Sequence, residues 1–135
     1  MKIELEQVSP HEIEKRSFEI ITEELNGRTF PEDQELVVKR CIHTSADFDY
    51  AKNLVYSEHA VEKALEAIRG GASIVTDTQM GRSGINKKRL AQYGGQVYCF
   101  MSDEDVAQAA KKNGTTRAVA SMKKAVSYTH LRAHE

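Results

Sequence analysis

The sequence predicts an α/β fold in which helices layer on a parallel sheet. Two observations carry that prediction. The first is a change of hydrophobic period: Ser73-Ile74-Val75-Thr76-Asp77 and Gln96–Met101 are short, β-branched or aromatic runs among segments of helical spacing. The second is their order, strand, helix, strand, helix with short connections, which is how parallel strands with helical crossovers follow one another. At 135 residues the chain is long enough for one domain that buries about two thirds of its unfolded surface.

The elements follow in order. Ser9-Pro10-His11-Glu12 fits a capping box with Pro10 at the first helical position. Ile13, Phe18, Ile20, Ile21 and Leu25 continue the helix, and Asn26-Gly27 ends it. A second helix starts near Pro31 and runs through Leu36, Val37 and Val38 towards Ile42, and His43–Asp49 reads as a loop. Ser57 caps a third helix with the stripe Val61, Ala64, Leu65 and Ile68, stopped by Gly70-Gly71. After the first strand, Met80–Asn86 reads as a Gly-rich loop, and Asn86 opens a helix to Tyr93 that Gly94-Gly95 ends. Beyond the second strand, Ser102 caps a helix over Asp103–Lys112, Asn113-Gly114 turns, and Thr116–Val126 forms the last helix. Two strands are few for an open sheet, so either further strands lie unrecognised in the N-terminal half or the chain is incomplete.

Composition excludes several classes. The longest apolar run, Val97–Met101, is too short to span a membrane, and the acidic N-terminus (Glu4, Glu6) is not a secretory signal. Net charge is −1, which excludes a whole-surface nucleic-acid field. The charge is nevertheless polarised, with 10 acidic and 4 basic residues over positions 1–35 and 4 acidic and 10 basic over 82–135. That distribution leaves room for a local anion site in the C-terminal part, or for solvated helix faces that pair off in the fold. Cys41 and Cys99 form no CxxC pair and read as reduced, core-filling thiols of a cytoplasmic protein.

Three segments could carry chemistry. Cys41-Ile42-His43-Thr44-Ser45-Ala46-Asp47-Phe48-Asp49-Tyr50 gathers an imidazole, two hydroxyls and two carboxylates. It reads as a structural turn in which Asp and Thr bond nearby backbone, as a proton-transfer site on His43, or as a metal site on His43, Asp47 and Asp49. Thr76–Lys87 leaves the C-terminal end of a strand and enters a helix, where open α/β sheets place ligands. It matches neither a P-loop nor GxGxxG, and stands as an anion site or an ordinary turn. Arg117, after Gly114-Thr115-Thr116, clamps a carboxylate or is simply solvated.

Taken together, Ile13–Ile21, Arg40–Asp49, Thr76–Met80 with Gly84-Ile85-Asn86-Lys87, and Gly114–Arg117 resemble the precorrin-8X methylmutase (cobalt-precorrin-8 methylmutase) family, in family order. The resemblance covers roughly residues 8–126. It implies a three-layer α/β/α fold and a cytoplasmic homodimer with the active site near the subunit interface. The implied reaction moves a methyl group from C-11 to C-12 of a corrin-type tetrapyrrole, giving hydrogenobyrinate or cobyrinate, with neither cofactor nor metal ligand from the protein. It implies His43 as the catalytic residue and Ser17, Thr44, Thr78, Met80, Arg82, Gly84, Ile85 and Arg117 as substrate-binding. We expect His43 to protonate the ring, with Thr44 or a carboxylate setting its tautomer. The family pattern continues beyond Val126 with further strands. The resemblance therefore implies that residues 1–126 are the N-terminal part of one domain, incomplete at the C-terminus, and that 127–135 are an unrelated tail, a sequencing or assembly artefact. Two alternatives accompany this reading: an inactive corrinoid-binding fragment and a small metal-dependent hydrolase.

Overall fold

The computed structural model describes residues 9, 10 and 12–132. The chain divides into two compact units, Met1–Lys63 and Ala64–Glu135, each with its own core.

The first unit is helical. Helix α1 spans Ile13–Glu24 and α2 spans Glu32–Ser45. Val38 and Ile42 lie one turn apart on α2 and are 2% and 1% exposed, packed with Ile21 of α1. Burying each such side chain contributes about 1.5–3 kcal/mol. Glu32, Asp33 and Glu35 occupy the first turn of α2, where the helix dipole favours acids. The four-residue helix α3, Tyr50–Asn53, closes this core with the buried Ala51.

Two expectations are corrected here. Helix α1 begins at Ile13, not Pro10, because the Ser9 hydroxyl donates to the Glu12 carboxylate (2.6 Å) instead of accepting from the backbone. His11 of the expected capping box lies outside the described residues. Helix α2 continues through His43, Thr44 and Ser45, so His43 stands in its last turn rather than in a loop. Thr44 and Ser45 donate back to the carbonyls of Arg40 (2.9 Å) and Cys41 (2.7 Å), which holds two poor helix formers in the helix. The helix stops at Ala46, whose φ is +57°.

Helix α4 spans Ala60–Arg69, starting after His59 (φ +57°) rather than at Ser57. None of its residues is buried, and Leu65 of the predicted stripe is 46% exposed. In the second unit, β1 (Ile74–Val75) and β2 (Val97–Tyr98) pair in parallel, Ile74 with Val97 and Val75 with Tyr98. They are the two strands among the described residues, both shorter than predicted. Between them lie α5 (Gln79–Gly84) and α6 (Lys87–Ala91). Helix α5 occupies the segment expected to be a Gly-rich loop, and α6 ends before Tyr93.

Helix α7 is Glu104–Lys112, with Asp103 at its N-cap in place of Ser102. Helix α8 is Arg117–Arg132, which carries it past the predicted end at Val126. Val106, Ala110, Ala120 and Ala125 pack the two helices against Phe100. Lys124 of α8 donates to the Asp103 (2.6 Å) and Asp105 (2.8 Å) carboxylates, with its ammonium 5.3 Å from the Phe100 ring centroid. Tyr128, in the stretch expected to be a tail, packs its ring 5.3 Å from Tyr98 and 5.8 Å from Phe100. Residues 133–135 of that stretch lie outside the described residues. The result is an α/β fold, helix-rich with a small parallel sheet. Among the described residues, no helix is long and apolar enough to cross a membrane.

Candidate functional site

In the first unit the chemistry gathers where α1 crosses the end of α2. His43 is exposed, and its ring lies 5.6 Å from that of Phe18, tilted by 33°. Among the described residues, no hydrogen bond engages its ring nitrogens. The Arg40 guanidinium, one turn before His43, lies 5.1 Å from the centroid of the same Phe18 ring and pairs with Glu14 of α1. Ser17, beside Phe18 in sequence, is half-buried and donates to the Ile13 carbonyl (2.9 Å). The proton of Thr44 goes to Arg40, not to His43, so Thr44 does not donate to the imidazole as its orienting partner.

The carboxylates beyond the helix have structural work. The Asp47 amide donates to the Ser45 hydroxyl (3.2 Å), the Asp49 amide to the Asp47 carboxylate (2.9 Å), and Asp49 faces Lys52 at 3.5 Å. Among the described residues no three His, Cys, Asp or Glu side chains gather as a metal site, which corrects the reading of His43, Asp47 and Asp49 as ligands. Beneath, the Tyr56 hydroxyl is buried without a partner, and burial first, then Cys41 and Asp33, push its titration upward.

In the second unit the candidates ring the end of β1. The Thr78 hydroxyl caps α5 by accepting from the Gly81 amide (3.0 Å), and the Thr78 carbonyl accepts from the Thr76 hydroxyl (2.9 Å). These bonds wind the Gly-rich segment into a helix. Met80 is 85% exposed, Arg82 is exposed in the last turn of α5, and Gly84 has open space where a side chain would begin. Ile85 is half-buried and lines a cavity of about 320 Å³ with Leu65, Ile68, Leu90 and Tyr93. Arg117 is exposed at the first position of α8. Asp77, Ala118, Val119, Met122, Lys123 and Val126 line a larger, open, mainly apolar cavity of about 840 Å³.

The structure thus brings Ser17, His43 and Thr44 onto the first unit, and Thr78, Met80, Arg82, Gly84, Ile85 and Arg117 onto the second. Sequence reasoning gave no role to Phe18 and Arg40, although both stand in the segments that carried the resemblance. The signal was their spacing: Glu14 and Phe18 are four apart on α1, and Arg40 and His43 three apart on α2.

Fold and side chains together define an α/β protein with an exposed imidazole on one unit and a basic, hydroxyl-bearing strand end on the other. The family model for precorrin-8X methylmutase matches residues 12–133, and the chain belongs to that family. The cobalt-precorrin-8 methylmutase of Priestia megaterium is 43% identical over 119 residues, covering 88% of this chain and 53% of that protein. That of Salmonella typhimurium is 41% identical over 119 residues, covering 84% and 56%. The solved structure of the precorrin-8X methylmutase of Thermus thermophilus matches with a TM-score of 0.76 at 36% identity, covering 88% of this chain and 57% of that one. The chain spans about half the length of the curated relatives it matches. The resemblance drawn from the sequence is borne out.

Proposed function

We propose that this chain serves as a methylmutase of cobalamin biosynthesis, an isomerase that moves the C-11 methyl of precorrin-8X or cobalt-precorrin-8 to C-12. The products are hydrogenobyrinate and cobyrinate. The observation that carries this reading is His43, an exposed imidazole in the last turn of α2, free of hydrogen bonds among the described residues and held against Phe18. An imidazole titrates near neutrality and can lend a proton to the macrocycle, making part of the conjugated system electron-poor while the methyl migrates. The shift leaves the ring with the same atoms and electrons, so it calls for no redox partner.

Binding falls to the remaining candidates. Arg82 and Arg117 meet the peripheral carboxylates, Ser17, Thr44 and Thr78 offer hydroxyl oxygens, and Met80, Gly84 and Ile85 contact the ring. The mainly apolar cavity of about 840 Å³ beside Asp77 offers surface for the face of a bulky, flat macrocycle. The proposal includes a cytoplasmic homodimer.

The test is His43→Ala. The variant keeps its affinity for hydrogenobyrinate, read by visible absorbance titration, and loses about 10²- to 10⁴-fold in turnover of precorrin-8X. Near-parental turnover by the variant overturns the acid role. Binding without turnover by the parent chain reduces the reading to a corrinoid-binding module.

A further inference from the structure

We propose that the cleft between α4 and α6 is a binding site for a small aromatic carboxylate, held by Arg69 and Arg89 over an apolar floor. The cleft is the cavity of about 320 Å³ that Leu65, Ile68, Leu90 and Tyr93 line within the second unit. Sites for compact organic molecules begin at about 300 Å³. Of the residues assigned above to the tetrapyrrole, Ile85 alone lines this cavity.

The sequence builds the cleft from two helix ends. Leu65, Ile68 and Arg69 are three and four apart on α4 and share one face. Arg89 and Tyr93 are four apart across the end of α6, where the Tyr93 amide still donates to the Leu90 carbonyl (3.0 Å). The two ends approach closely at glycines. A Cβ on Gly71 (φ +91°) would stand 3.0 Å from the Tyr93 carbonyl oxygen, and one on Gly94 (φ +88°) would stand 4.0 Å from the Gly71 Cα. The strand pairing begins directly beyond, with the Ile74 amide donating to the Gln96 carbonyl (2.8 Å). Backbone contacts therefore fix this end of the cleft.

The lining selects the ligand. Leu65, Ile68, Ile85 and Leu90 form the floor, and the Tyr93 ring, 43% exposed, adds an aromatic face. Arg69 and Arg89 are exposed, and among the described residues neither guanidinium has an ion pair or a hydrogen bond. Neither Asp nor Glu lines the cavity. Two cations without a resident anion, set over an apolar floor, complement an anion with an apolar body. A guanidinium meets a carboxylate at two points and also lies flat on an aromatic ring, so one aromatic acid satisfies both preferences.

The test titrates phenylacetate, its neutral amide and inorganic phosphate into the full chain, read by amide chemical shifts. Phenylacetate binds with a Kd of about 0.1–1 mM and moves the amides of Ile68, Leu90 and Tyr93. The amide, which lacks the charge, and phosphate, which lacks the ring, bind at least about 10-fold more weakly. Arg69→Gln and Arg89→Gln each weaken the acid about 5- to 20-fold while melting like the parent. Arg89→Lys recovers only part of that loss, because an ammonium is a point charge. Arginines that serve only the helix C-termini shift Tm and leave the titration unchanged, and that result overturns the proposal. Equal binding of acid and amide overturns it too. So do shifts centred away from α4 and α6, and shifts that added hydrogenobyrinate reverses, which would make the cleft part of the tetrapyrrole site.

Discussion

Gly95→Ala tests the packing that holds the two strands together. Gly95 is buried at the entry to β2, and a Cβ built there would stand 2.5 Å from the carbonyl oxygen of Ala72 and 3.1 Å from Cγ and Cδ1 of Leu90. Leu90 is itself 5% exposed, so it has little room to turn away. The Ala72 oxygen is backbone, just before β1, where the Gln96 amide donates to the Ser73 hydroxyl (3.1 Å) and the Ile74 amide to the Gln96 carbonyl (2.8 Å). Relief of the overlap therefore displaces the strand pairing itself. Overpacking of a tight interior costs about 1–3 kcal/mol, and the backbone partner puts this site near the upper end. For a domain of this size that is a fall in Tm of about 6–12 °C. Gly84→Ala is the control, since nothing lies within 4 Å of the added methyl at the end of α5. Thermal and urea melts of both variants decide. A Gly95→Ala protein within about 0.5 kcal/mol of the parent refutes the packing argument.

Two further outcomes follow from caps and charges. Asn86→Ala removes the side-chain oxygen that accepts from the Arg89 amide (3.0 Å) at the start of α6, and costs about 1 kcal/mol in urea denaturation. The Lys124 bridge makes stability depend on pH at both extremes. Hydrogen bonding to Lys124 lowers the Asp105 titration, so its contribution is present above the ordinary aspartate range and is lost as pH falls through the lowered value. The hydrogen bonds that Lys124 donates to Asp103 and Asp105 raise its own titration, so its contribution is present below the ordinary lysine value and is lost as pH rises through the raised one. Lys124→Met therefore flattens the pH profile of Tm on both sides, and a profile unchanged by that substitution counts against the bridge.

Stops and caps that depend on backbone conformation were legible in the sequence. Asn26-Gly27, Gly71, Gly94 and Gly114 all adopt positive φ where helices or turns end, a conformation that glycine and asparagine tolerate. Asn86 caps α6 as its type and position predicted. The strand pair was legible because β-branched residues cluster in it, and the family because whole segments matched. The misplacements at the start of α1, the end of α2 and over α5 share a cause: local preference was overruled by hydrogen bonds between residues two to four apart. Gly81 and Gly84 suggested a loop, but the Thr78 cap winds that segment into α5. Helix α4 shows a second limit, for its stripe sets which residues share a face and says nothing of what covers them; none of its residues is buried.

The same competition explains where His43 stands. Thr44, Ser45, Ala46 and Asp47 argue for a loop by composition, and that loop would carry the imidazole with it. Instead Thr44 and Ser45 prolong α2 past His43, and Ala46 and Asp47 end it. Thr44 and Ser45 satisfy carbonyls a turn back, Ala46 takes the left-handed conformation, and Ser45 and the Asp47 carboxylate accept from the next free amides. A non-glycine residue in that conformation costs about 1–2 kcal/mol, so the neighbouring hydrogen bonds must hold it there. The imidazole is left on the last turn of a rigid helix, solvent-facing, with Phe18 fixing one side of its ring. Side chains on helices keep their geometry better than side chains on loops. The proposal that His43 lends a proton to one position of a large conjugated ring calls for that constancy, and the Thr44 and Ser45 hydroxyls and the Asp47 carboxylate supply it by shaping the helix end.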